Sequence, residues 1–103
     1  MAFRKIFPVS EITEGEFKLF HLSGVQGVLT MQKGKHFAFE NSCPHKGATL
    51  SSGQICFNEV TCPLHGWTFN LTTGENNVDP DKTLLVFQTK VENDFIWVQE
   101  PEF

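Results

Sequence analysis

Two short stretches decide how this chain is read: Cys43-Pro44-His45-Lys46-Gly47 and Cys62-Pro63-Leu64-His65-Gly66-Trp67. Each arm offers one thiol and one imidazole, in the spacings C-x-H and C-x-x-H, with sixteen residues between His45 and Cys62. Thiolate and imidazole together suit iron bridged by sulfide, and they also suit tetrahedral zinc. The four side chains therefore make a metal site in two halves. Zinc sites usually pair like with like, two cysteines in one knuckle and two histidines on one helix, whereas each arm here is mixed. That mixture favours iron with sulfide and leaves a zinc-stabilised interaction module as the chemical rival.

Working outward, the residues between the arms predict two short strands, Gln54 to Phe57 and Val60 to Cys62, joined by Asn58-Glu59. Thr68 to Asn70 follows as a third strand, and Leu71 to Gly74 turns the chain back. The arms then sit as two loops at one end of a small sheet, an arrangement that lets a rigid hairpin preorganise metal ligands. Upstream, Phe3 to Phe7 reads as a strand, and Pro8 with Ser10 to Glu16 as a turn or single helical turn. Phe17 to Leu22 carries apolar residues in both registers, which predicts a strand covered on much of both faces. Ser23-Gly24 and Lys33-Gly34-Lys35 turn the chain into Val25 to Gln32 and His36 to Glu40, an antiparallel meander. Downstream, Leu84 to Gln88 and Phe95 to Gln99 complete the larger sheet around a tip at Glu92-Asn93-Asp94. No stretch has a sustained helical period. The expected fold is all-β: a small antiparallel β barrel or sandwich with an inserted three-stranded cluster-binding subdomain over about residues 42–75, within one domain spanning 1–103.

Composition limits the function classes. A length of 103 residues, 40% hydrophobic and 19% charged, is that of one globular domain. A net charge of −4 argues against nucleic acid as a partner, because phosphate binding needs surplus Lys and Arg. No apolar run exceeds the four residues of Leu84 to Phe87, far short of a membrane span, and Met1 to Ser10 lacks the apolar core of a secretory signal. A monomer in the cytoplasm, without a membrane partner, is the expectation. The odd cysteine count, Cys43, Cys56 and Cys62, cannot form a closed disulfide framework. Cys56 is expected to be a small buried hydrophobe in a strand. His21 and His36 fall in strand patterns away from the arms and are read as structural or exposed.

The two arms resemble those of Rieske proteins, and the whole chain resembles a soluble, oxygenase-associated Rieske-type 2Fe-2S ferredoxin. The specific part of the resemblance runs from Cys43 to Phe69; the strands outside it match in pattern only. The resemblance implies one 2Fe-2S cluster, with Cys43 and Cys62 on the inner iron and His45 and His65 on the outer one. It further implies an electron carrier and not an enzyme, passing one electron from a flavin-dependent reductase to a terminal oxygenase. The alternative within the same fold is the small subunit of a nitrite-reductase-like complex. Asn76 to Lys82, with Pro80 at its centre, resembles the proline-containing loop that covers the cluster in this family; its alternative reading is a polar surface connection.

Departures from the respiratory members of the family carry information too. Their additional cysteine in each arm corresponds to Ala48 and Leu64 here, so no disulfide can brace the two loops. Their serine and tyrosine hydroxyl donors correspond to Trp67 and Phe69. Hydrogen bonds to cluster sulfur stabilise the more negative, reduced state, so losing the hydroxyl donors makes reduction harder and lowers the potential.

Overall fold

The computed structural model describes residues 2–44, 47–64 and 66–100. Among these residues, ten strands form three antiparallel sheets. The first has the order β1-β10-β9, from Phe3–Pro8 (β1), Phe95–Gln99 (β10) and Thr89–Glu92 (β9). The second has the order β2-β3-β4-β8, from Phe17–Leu22 (β2), Val25–Gln32 (β3), Lys35–Glu40 (β4) and Val86–Phe87 (β8). The third, β5-β6-β7, is built from Gln54–Cys56, Glu59–Thr61 and Thr68–Asn70 and is inserted between β4 and β8. The two hairpins of the meander, and the β9–β10 hairpin, close on two-residue turns with both residues at positive φ: Ser23-Gly24, Lys33-Gly34 and Asn93-Asp94. That backbone has the twist of the flanking strands and sets the register of each pair.

Strand β3 organises the interior, because both of its faces are buried. In the β3–β4 register Leu29 pairs with Ala38, and the next pair along is Val28 with Phe39. Adjacent pairs point to opposite faces of a pleated sheet. Leu29 and Ala38 accordingly join Ile12, Phe20, Phe87, Ile96 and Val98 in a core between the first two sheets. Val28 and Phe39 instead join Leu50, Val60, Phe69, Leu71, Leu84 and both Cys43 and Cys62 in a second core beneath the inserted sheet. One strand thus faces the core between the first two sheets on one side and the candidate site on the other. Burying a side chain such as Phe39 or Phe69 contributes about 1.5–3 kcal/mol.

The structure revises several expectations. The strand covered on both faces is β3 and not Phe17–Leu22: in β2, Phe20 and Leu22 are buried while Phe17 and Leu19 remain 43% and 44% exposed. The reason is position, since β2 is the edge of its sheet. The single larger sheet is divided in two. Leu84 to Gln88 shortens to β8, which pairs with β4; the chain turns at Gln88, and β9 crosses to pair with β10. A backbone hydrogen bond from Gln99 N–H to the Gln88 carbonyl marks the corner. Cys56 is exposed, not buried. It ends β5, the edge strand of the small sheet, and alternates with Ile55, the residue of that strand that packs on the second core. Phe57 lies outside the strand, in the turn at φ 51°, with its ring edge-on to Phe37 and under the Lys33 ammonium. Among the described residues no helix is long and apolar enough to cross a membrane.

Candidate metal centre

The two arms fold alike. In the first, Cys43 N–H donates to the Ala48 carbonyl at 2.8 Å; in the second, Cys62 N–H donates to the Trp67 carbonyl at 2.7 Å. Each bond runs from the cysteine to the fifth residue after it. Each cysteine is followed by proline, and each turn is completed by a glycine four residues on, Gly47 at φ 72° and Gly66 at φ 69°. A Cβ added at either glycine would meet nothing within 4 Å. Glycine is required there for its left-handed backbone, not for space. The pattern Cys-Pro-x-x-Gly therefore occurs twice, and it specifies the same turn twice. Donor spacing alone does not carry that signal; the repeated proline and glycine do.

These turns deliver two thiols to one place. Cys43 and Cys62 are 1% and 2% exposed, and their thiols are close enough to affect each other's ionisation. Burial pushes the Cys62 thiol above its ordinary pKa, the neighbouring Cys43 thiol pushes the same way, and the Leu64 N–H that donates to the Cys62 sulfur opposes both. A pair of facing thiols in an apolar pocket is costly to ionise unless a cation takes up the charge. The donor set and its placement therefore fit a metal centre that binds thiolate. His45 and His65 lie outside the described residues, as does Lys46. Among the described residues no group of three or more His, Cys, Asp or Glu could hold a metal ion, so this part of the chain offers the thiol pair. Cys56 is not among the thiols brought together. His21 is exposed, and His36 is half-buried in β4, where burial lowers its pKa.

The surroundings are apolar on one side and polar on the other. Phe69, fully buried, packs in the same core as both cysteines, and the Trp67 ring lies tilted against it at 6.4 Å between centroids. On the polar side, the Asn76 side chain shapes the segment 76–82: its Oδ1 accepts from Val78 and Asp79 N–H at 2.7 and 2.6 Å, and its Nδ2 donates to the Asp79 carbonyl at 2.8 Å. The neighbouring Asn77 Oδ1 accepts from Thr68 N–H at 3.1 Å, which moors the segment beside the strand that follows the second arm. The mooring residues, Asn76 and Asn77, are ones that a proline-centred reading of this segment passes over.

Comparison with known proteins agrees with this geometry. The Rieske [2Fe-2S] domain family matches residues 2–89. Apoptosis-inducing factor 3 of Homo sapiens is 32% identical over 92 residues, covering 88% of this chain but 15% of the relative. The chain thus spans under a fifth of the length of that relative. The ferredoxin component of the naphthalene 1,2-dioxygenase system of Pseudomonas putida is 30% identical over 86 residues, covering 82% of this chain and 83% of the relative. Among solved structures, the ferredoxin of carbazole 1,9a-dioxygenase from Nocardioides aromaticivorans IC177 superposes with a TM-score of 0.86 over 98% of this chain and all of that one, at 20% identity. A chain in the complex of reduced oxygenase and oxidized ferredoxin of carbazole 1,9a-dioxygenase reaches 0.83 at 26% identity, covering 98% and 96%. A twice-repeated Cys-Pro-x-x-Gly turn, two neighbouring buried thiols and a match over most of the chain lead to one assignment: this chain belongs to the Rieske 2Fe-2S domain family.

Proposed function

We propose that the chain is an electron carrier, a Rieske ferredoxin that accepts one electron from a flavin-dependent reductase and delivers it to a terminal oxygenase. The observation that carries this reading is the pair of facing, buried thiols of Cys43 and Cys62 at the ends of matching turns. Cys43 and Cys62 hold one iron and His45 and His65 the other, in a cluster-binding subdomain of about residues 42–75 that is part of a single domain over 1–103. When bound, the 2Fe-2S cluster supplies one reversible one-electron step. The chain's own residues do the rest. The turns at Gly47 and Gly66 fix where the thiols point, and the core of Val28, Phe39, Val60 and Phe69 keeps water from their buried side. The Leu64 amide donates to the Cys62 sulfur and favours its thiolate form.

Ferredoxin components of dioxygenase systems that match over most of both chains support the role of carrier, without substrate turnover of its own. Contacts with both partners are brief, as a shuttling carrier requires. In this reading the chain works as a monomer in the cytoplasm, and the segment 76–82 covers the cluster. Metal analysis together with EPR of the reduced protein tests the assignment. The expected result is about two irons and two acid-labile sulfides per chain, with the signal of mixed His and Cys ligation. That signal should be lost in Cys43→Ser and Cys62→Ser. Zinc without sulfide, or an unchanged signal in both variants, overturns it.

A further inference from the structure

No disulfide ties the two arms: Cys43, Cys56 and Cys62 are all free thiols. Their relative position must be held by other means, and the segment directly after the first arm has three attachments of different kinds. It is the 3-10 turn Leu50–Ser52 followed by Gly53. Leu50 is fully buried in the core that contains both cysteines. Ser51 N–H donates at 2.8 Å to Oδ1 of Asn41, whose Nδ2 donates at 3.0 Å to Gln26 Oε1 on β3. Asn41 N–H also donates to the Gln26 carbonyl at 2.9 Å, and the residue is 5% exposed. Gly53 presses its backbone on the base of the second arm. A Cβ there would lie 1.9 Å from the Thr61 carbonyl oxygen and 3.2 Å from Pro63 Cδ.

We infer that Asn41, Ser51 and Gly53 form a noncovalent clip that sets the first arm against both the barrel and the second arm, making Asn41 and Gly53 positioning residues for the metal centre. The Asn41 carboxamide closes the base of the first arm by joining the residues on either side of residues 42–50. Its burial makes that closure specific, since an unpaired buried amide is costly and the pocket accepts only a side chain that both donates and accepts. Gly53 then carries the constraint to Thr61, the residue before Cys62, and to Pro63, the residue after it. Displacing either end of the clip moves one thiol relative to the other. The inference rests on Cys43 and Cys62 being ligands, as proposed above.

The test uses the cluster-loaded protein and the variants Asn41→Leu, Gly53→Ala and Gln26→Ala. Three readouts apply: the rate of cluster loss to a chelator, the midpoint potential, and the EPR line shape. Removing partners that orient metal ligands typically weakens binding by about 10- to 100-fold. Asn41→Leu and Gly53→Ala are expected to lose the cluster about tenfold faster or more, with a shifted potential and a broadened signal. The double variant should be less than additive, because both changes release the same clip. Gln26→Ala, which removes one acceptor and leaves the Ser51 bond, should move all three readouts less and in the same direction. It is also the decisive variant if Asn41→Leu does not fold. Wild-type rates, potential and line shape in folded Gly53→Ala and in folded Asn41→Leu or Gln26→Ala overturn the clip. Cys43→Ser, run in parallel, separates the two failures: loss of its signal beside unchanged clip variants rejects the clip alone, whereas retention of its signal rejects the ligand assignment.

Discussion

Replacing Phe39 by alanine tests the claim that one sheet supports two cores. Phe39 is fully buried, and it points from β4 into the core that holds Cys43 and Cys62, one residue from Ala38 in the opposite core. A buried Phe→Ala change costs about 3–5 kcal/mol, the transfer of the ring plus the cavity it leaves. A domain of this size is stable by about 5–15 kcal/mol in total, and each kcal/mol moves its melting temperature by about 4 °C or more. A fall of at least about 12 °C is expected. Leu29→Ala, also fully buried but in the barrel core, should cost about 2–5 kcal/mol and so overlap in global effect. The two differ in place. Native-state hydrogen exchange should show Phe39→Ala opening the amides of β6 and β7 and of Cys43 and Cys62 below the global unfolding free energy. Leu29→Ala should lower the protection of both regions together. If the two variants give the same exchange pattern at matched stability, the division of the interior into two cores is wrong.

Gly66→Ala should destabilise by about 1–2 kcal/mol, the cost of a left-handed L-residue, because its Cβ meets no atom within 4 Å. Gly66→Asn should cost less, since asparagine tolerates that backbone, and equal losses in urea denaturation would instead point to a steric cause. His36 supplies a pH dependence: burial holds its pKa below the ordinary value of 6.5, so below that pH the unfolded chain takes up a proton that the folded chain resists. Stability should therefore fall as pH drops below about 6.5, and His36→Gln should flatten this part of the urea-midpoint profile. The midpoint potential of the loaded protein should lie toward the lower end of the Rieske range, which reaches down to roughly −150 mV, since Trp67 and Phe69 offer no hydroxyl to cluster sulfur. Voltammetry giving a value well above about +100 mV would refute that argument.

Local chemistry explains what could be read without coordinates. The hairpins at Ser23-Gly24 and Lys33-Gly34, the all-β class and the inserted three-stranded sheet all follow from turn residues and short apolar runs, which act over a few positions. The two arms are legible for the same reason: Cys-Pro-x-x-Gly is a local pattern, and it marks the two cysteines, Cys43 and Cys62, that the fold buries in one core. What was misread depends on neighbours distant in the chain. Phe17 and Leu19 look like core residues until β2 proves to be a sheet edge, and Cys56 looks buried until β5 proves to be one too. Gln88 carries no turn signature, yet the chain changes sheets there because its neighbours on either side pair with different strands.

The family and the turn that presents each cysteine are legible from contiguous residues, because both rest on motifs and backbone preferences that act locally. That β3 and β4 turn one pair of side chains toward the core between the first two sheets and the next toward the site depends on which sheets pack against each face. The tertiary structure also brought Asn41, Ser51 and Gly53 together with Gln26 and Thr61 around the base of the arms. Those contacts join residues up to fifteen positions apart, as Gln26 and Asn41 are, and through Asn41 they link Gln26 to Ser51. They exist because a close-packed interior leaves each buried amide and each backbone contact one arrangement that satisfies it.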